Sequence, residues 1–276
     1  MTAETPETAG TSDSTTPNSA WPKRTRPTAM MVGLLLLMVA TFGMSAASLL
    51  VSLGYLGTAA PRADFESLAK EYLLSNPEVI VEAVKQLEAR QQAAQENELT
   101  AVLTARHDEI VSDPTSPVGG NVDGDVTVVE FFDYNCPYCR QAAPMLQQLQ
   151  QEDSGLRIVF KEFPILGPGS HFAARAALAS QKQGKYLAFH SAMMAFKGSI
   201  SESSTLEIAA SIGLDVEQLK LDMADPAIED AIAANFDLAD ALRLSGTPSF
   251  ISGKQITRGL VDLETMAQLI AAARAE

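Results

Sequence analysis

VTVVEFFDYNCPYCRQAAPMLQQLQQ, Val126 to Gln151, decides how this chain is read. VTVVEFFDY (Val126–Tyr134) is β-branched and aromatic, a strand by propensity and length. RQAAPMLQQLQQ carries a helical pattern, and NCPYC stands where one becomes the other. LRIVFKEF (Leu156–Phe163) follows as a second strand. Strand, helix, strand with short joins is a βαβ unit, which implies a parallel pair and a right-handed crossover.

Downstream, HFAARAALASQKQGKYLAFHSAMMAF (His171–Phe196), TLEIAASIGL (Thr205–Leu214), VEQLKLDMAD (Val216–Asp225) and AIEDAIAANFDLADALRLS (Ala227–Ser245) all read as helix. Ser170, after a Gly-Pro-Gly break, is the expected N-cap of the first. The chain then returns to strand with SFIS (Ser249–Ser252), turns at Gly253-Lys254, continues as QITRG and closes on a helix, Leu263–Ala273. The expected class is α/β: a thioredoxin-like fold over 113–276 with an all-helical subdomain inserted at about 168–245.

Upstream, DPTSPVGGNVDGD (Asp113–Asp125) is dense in turn residues and reads as a loop holding a domain boundary. Residues 63–112 read as helix, broken at Ser75-Asn76-Pro77-Glu78, with Asn76 as N-cap before Pro77, or Ser75 and Glu78 as a capping box. Ile80, Val84, Leu87 and Ala94 form a thin heptad seam, interrupted at Gln91. Such a stripe either docks on its own domain or pairs with a copy of itself.

Residues 30–57 are uncharged and apolar, long enough to cross a bilayer as a tilted helix. Lys23, Arg24 and Arg26 precede them, which places the amino terminus in the cytoplasm and the remainder outside. The run is longer than a secretory h-region, so an uncleaved anchor is expected, although Ser45–Ala47 and Thr58–Ala60 offer small-x-small sites. Residues 1–29, poor in large apolar side chains before Trp21, are expected to be a disordered cytoplasmic tail. The net charge of −14 lies wholly beyond that tail, and it argues against a nucleic-acid partner.

Cys136 and Cys139 are the only two cysteines. A zinc site wants four ligands, and His107, His171 and His190 show no ligand spacing, so no metal is expected. A c-type haem would need His where Arg140 stands. A disulfide closing so short a loop stabilises little. As a reagent the pair is well placed. Pro137 suits the first helical position, and the helix dipole favours a thiolate at Cys136. Cys139, one turn on and more buried, would be the thiol that resolves a mixed disulfide. Met193 and Met194 read as helix core rather than a peptide-binding surface.

GDVTVVEFFDYNCPYC, GTPSF (Gly246–Phe250) and the long helical insertion resemble the DsbA family of thiol:disulfide oxidoreductases. EYLLSNPEVIVEAVKQLEARQQ resembles the amino-terminal helices of the subgroup that includes the copper-sensitivity suppressor ScsC, some of which trimerise through them. The resemblance implies that Cys136 is the nucleophile, Cys139 its resolving partner and Pro248 a cis-proline beside the pair. Thr247 precedes that proline and tunes contact with the site, while Glu130 is a buried acid that moves a proton to or from Cys139. Lys161, on the second strand, is an expected partner for Glu130. Tyr138 departs from the Cys-Pro-His-Cys of strongly oxidising members; a phenol carries no cation near neutral pH, so a less oxidising pair is expected. No cofactor is implied beyond the redox-active disulfide itself. Implied partners are extracytoplasmic protein thiols and disulfides, a membrane redox partner (a quinone-linked oxidant or a transmembrane reductant), and another copy through 63–112. The competing reading is a copper carrier that uses the same thiolates without catalysis.

Overall fold

The computed structural model describes residues 28–53 and 62–275. The expected cytoplasmic tail lies outside the described residues up to position 27, as do the end of the apolar run and the second small-x-small site, within 54–61. The chain divides into two compact units, up to Ala83 and from Val84 onward. The first holds α1 (Thr28–Ser52), α2 (Arg62–Ser75) and the start of α3 (Glu78–Ala105). Within α1, Met31–Ser52 is long and apolar enough to cross a membrane, with a mean hydropathy of 2.2. Asn76 does not cap α3 with its side chain. Its amide donates instead to the Tyr72 carbonyl, 2.9 Å away, closing the last turn of α2.

The second unit is built on a five-stranded sheet of order β1-β3-β2-β4-β5. Its strands are β1 (Val118–Gly120), β2 (Val126–Phe132), β3 (Leu156–Glu162), β4 (Ser249–Ser252) and β5 (Gln255–Arg258). β2 and β3 run parallel through α5 (Pro137–Glu152), as the βαβ reading requires, and every other pairing is antiparallel. β1 was not expected. Its three residues, two of them glycine, carry no strand pattern, but the exposed edge of β3 supplies the partners, and Val118 faces Val159.

Alternation along β2 sends Val126, Val128 and Phe132 to one face and Val129 and Phe131 to the other. The first face packs on α5, on α6 (Pro168–Ser180) and α7 (Tyr186–Ala195) of the insertion, and on α11 (Leu263–Arg274). The second packs on Leu103 of α3, Ile110 of α4 (His107–Val111) and Leu238, Ala239 and Leu242 around the end of α10 (Pro226–Ala241). Each fully buried phenylalanine contributes about 1.5–3 kcal/mol by leaving water. This corrects the expected boundary within Asp113–Asp125: α4 and the end of α3 supply one wall of the core. Val84 and Leu87, further back on α3, are exposed.

The insertion comprises α6, α7, α8 (Glu202–Ser211), α9 (Val216–Asp222) and α10. His171–Phe196 is two helices rather than one, because Gly184 takes a left-handed turn at φ 65° between them. α6 starts at Pro168 after Gly167, and Ser170 spends its hydroxyl on Asp133 instead of capping. Met193 and Met194 are buried in core, as expected. α8 opens with a capping box, in which Ser201 and Ser204 bond each other's backbone N–H. Ser201→Ala is expected to cost about 1 kcal/mol, read as a fall of roughly 2–4 °C in the melting temperature of the second unit.

Candidate active site

β2 and β4 are antiparallel neighbours, with Phe131 opposite Ser249 and Glu130 opposite Phe250. The end of β2 that leads into Cys136 therefore lies beside the start of β4, which Thr247 and Pro248 precede. That adjacency brings together residues 111 apart: the Cys136 thiol donates to the Thr247 carbonyl at 3.2 Å. The Thr247–Pro248 peptide is cis.

Cys136 is the N-cap of α5, in extended backbone at φ −74°, ψ 118°, and Pro137 takes the first helical position. The Cys136 N–H donates to the Asp133 carbonyl at 3.0 Å, and its own carbonyl accepts from Arg140 N–H at 3.2 Å. Tyr138 is exposed, with 56% of its surface open. Cys139 is fully buried, and both sulfurs are present as thiols. Burial pushes the Cys139 thiol far above its ordinary range, and nearby Glu130 adds to this once it ionises. A sulfur in that environment leaves as thiolate only if a proton reaches it at once.

Glu130 can supply one. It projects from β2 on the α5 face, fully buried, with Oε1 lacking any hydrogen-bond partner. Desolvation raises its pKa to about 8, so it keeps its proton through neutral pH.

Lys161 does not meet Glu130. In the parallel register Glu130 faces Phe160, while Lys161 faces Phe131 and shares its side of the sheet. The Lys161 ammonium donates to the Glu109 carbonyl and to Asp113 Oδ2, both at 2.8 Å, on that opposite face. Burial lowers the Lys161 pKa despite this pairing. Burial also pushes Asp113 up, but bonds from Lys161, Thr115 and Ser116 outweigh it and bring that carboxylate down to about 2.

The structure adds residues that sequence reasoning passed over. Glu162 lies on the Glu130 side of the sheet, one strand across, and its Oε1 accepts from the Tyr134 hydroxyl at 3.0 Å and the Tyr186 hydroxyl at 2.8 Å. Burial raises its pKa well above the usual carboxylate range, partly opposed by those two donors. His190, boxed in by the rings of Phe132, Phe160, Tyr134 and Tyr186, is pushed by burial down to about 3 and is neutral. Asp133 is buried too; its oxygens accept from Asn135 N–H at 2.7 Å, the Ser170 hydroxyl at 2.7 Å and Leu166 N–H at 2.9 Å. The available signal was an acidic residue at the end of a strand rich in β-branched and aromatic residues, just past β2 for Asp133 and at the last position of β3 for Glu162.

Among the described residues no cluster of three or more His, Cys, Asp or Glu could hold a metal ion. His107 is exposed, His171 pairs with Glu229, and His190 sits in its aromatic cage.

Comparison with known proteins places this geometry. The profile of the DSBA-like thioredoxin domain matches residues 127–271, and that of the copper resistance protein ScsC N-terminal domain matches 62–94. The solved structure of a thioredoxin-like oxidoreductase from Silicibacter pomeroyi is 48% identical, with a TM-score of 0.61, covering 61% of this chain and 98% of that one. A probable disulfide bond formation protein D of Bacillus cereus is 32% identical over 148 residues, covering 49% of this chain and 68% of that protein. The Na(+)/H(+) antiporter NhaA 3 of Salinispora tropica is 31% identical over 158 residues, which are 56% of this chain. The match spans only 24% of that antiporter's length.

Proposed function

The chain belongs to the DSBA-like thioredoxin family, and from that premise we propose that it is a membrane-anchored oxidoreductase exchanging thiols and disulfides in protein substrates outside the cytoplasm. The observation that carries the reading is the contact of the Cys136 thiol, at the start of α5, with the Thr247 carbonyl beside cis-Pro248. Cys136 is the sulfur that meets the substrate. Cys139 resolves.

In the oxidising direction a substrate thiolate attacks Cys136 Sγ in the Cys136–Cys139 disulfide. The Cys139 sulfur leaves with the bonding pair and takes the Glu130 proton. A second substrate thiolate then attacks the mixed disulfide, forming the substrate's disulfide and releasing the Cys136 thiolate. The reducing direction runs the same bonds backward, with Glu130 accepting the proton of Cys139 as that sulfur attacks. A membrane partner, a quinone-linked oxidant or a transmembrane reductant, resets the pair.

The apolar α1 supports the anchor, with Lys23, Arg24 and Arg26 on the cytoplasmic side. The likeness of residues 62–94 to the ScsC N-terminal domain, together with the exposed Val84 and Leu87, supports self-association through 63–112. A copper carrier has no use for a buried acid beside the second thiol.

Cys139→Ala tests the reading. With no resolving thiol, clients are expected to accumulate on Cys136 as mixed disulfides that run as a reducible ladder on non-reducing gels. A variant that captures no client counts against the enzyme. Direction is read by removing residues 62–94, which leaves the core residues Leu103 and Ile110 in place. Repair of a scrambled substrate that is lost with them identifies an isomerase, and oxidation of a reduced substrate that survives identifies an oxidase.

A further inference from the structure

On the face of the sheet opposite α5, a cavity of about 510 Å³ lies between α10 and the segment 108–115. One wall is apolar: α10 presents Ala227 and Ala234, about two turns apart, with Leu238 beyond them. Longer side chains at the two alanines would close the space. Left open, it forfeits the dispersion contacts that its lining would otherwise make.

Burial orders the polar groups around it. Deepest is Lys161, whose side chain is only 1% exposed. An ammonium has three N–H donors, and Lys161 spends two, on the Glu109 carbonyl and on Asp113 Oδ2. The third meets no acceptor among the described residues. Burial lowers the Lys161 pKa even beside Asp113, as expected of an ammonium short of negative charge. Asn235, also buried, lines the same cavity and donates Nδ2 to the carbonyl of the next residue, Glu162, at 3.0 Å.

The outer lining has the opposite sign. Glu109 gives its carboxylate to Arg106, and Asp113 gives its own to Lys161, Thr115 and Ser116. That leaves Asp108 and Asp230, both exposed; the Asp108 carboxylate meets only the ring of His107, at 3.4 Å. A spare buried donor at depth and two carboxylates at the mouth, with apolar wall between, call for a guest charged at both ends.

We propose that this cavity binds a small zwitterion, whose carboxylate accepts the third Lys161 N–H, whose apolar stem lies along Ala227 and Ala234, and whose ammonium meets Asp108 and Asp230. A plain carboxylate of the same length is repelled at the mouth. A plain amine offers Lys161 no acceptor. The site shares no residue with the redox pair and does not depend on the function proposed above.

Three six-carbon probes test it: ε-aminocaproate, caproate and hexylamine, each titrated into the isotope-labelled full chain in detergent and followed by amide chemical shifts. With ε-aminocaproate, saturable shifts are expected in α4, in 112–115 and in α10. Caproate is expected to bind about threefold more weakly, the scale of an exposed ion pair. Hexylamine should fall at least about tenfold, the scale of a charge-assisted bond to a buried group. Asp230→Asn is expected to weaken ε-aminocaproate about threefold and to leave caproate no weaker. Ala234→Phe fills the cavity and should abolish the saturable shifts while thiol–disulfide exchange stays at the parent level; Ala227→Leu serves if A234F does not fold. Three probes that bind alike overturn the proposal. So does ε-aminocaproate that never saturates the parent, or that binds the filled variant as tightly as the parent.

Discussion

Cys136→Ala is expected to abolish exchange, with turnover of a reduced or scrambled client falling on the order of a thousandfold or more. The chain has no third cysteine to substitute. Cys139 cannot take over, because it is fully buried and burial holds its thiol far above its ordinary range. The variant should also fail to capture clients, which separates it from Cys139→Ala: one loses the first bond made, the other only its resolution. The same α5 start and the same Thr247 carbonyl remain in both proteins. Residual turnover in Cys136→Ala above that of a protein lacking both sulfurs would show that Cys139 is accessible, contrary to its burial.

Glu130→Gln is expected to flatten the dependence of stability on pH and to slow the step in which Cys139 departs. A glutamate free of perturbation titrates near 4.5, and burial moves Glu130 to about 8. Below the lower value both folded and unfolded chains hold the proton. Between the two values only the folded chain does, so folding takes up a proton and stability falls as pH rises, by up to about 1.4 kcal/mol per pH unit. Above about 8 the contribution is fully lost. Glutamine has no such slope, so the variant should match the parent near the low end of the window and exceed it by a few kcal/mol, to order of magnitude, at the high end. Glu162, also raised, adds a slope of the same sign that persists in the variant. Asp113 works the other way, and its contribution is lost only as pH falls toward about 2, outside this window. Urea unfolding across the range checks the difference; parallel curves for parent and variant would mean that Glu130 is not the buried acid. The kinetic part is a loss of roughly a hundredfold in reduction of the protein's own disulfide by a client, the scale of general acid catalysis.

The βαβ unit was legible because β2 and β3 are dense in β-branched and aromatic residues and the joins are short. CPYC could be placed at a helix start because proline tolerates few other positions in a helix. Thr247 and Pro248 could be joined to it only through family resemblance, since their meeting depends on β2 and β4 being neighbours, which no local pattern encodes. Pairing also decided what was misread. β1 exists because β3 has a free edge, and Lys161 is turned from Glu130 by a register visible only once both strands are aligned. By sequence alone Arg140 is only the residue that stands where a haem-binding histidine would be. Its lack of a carboxylate partner among the described residues is a property of the packed structure.

The redox pair and the carbonyl that covers it are separated by 111 residues, with all five helices of the insertion between them. A ribosome adding about 5–20 residues per second delivers the two parts roughly 5–20 s apart. For that interval the nascent chain presents CPYC as a dithiol that the Thr247 carbonyl does not yet cover. Any oxidant or misfolding neighbour it meets then can claim either sulfur. Only when the last strands arrive do the two cysteines become unequal, and the chain changes from a potential victim of disulfide scrambling into a reagent for it.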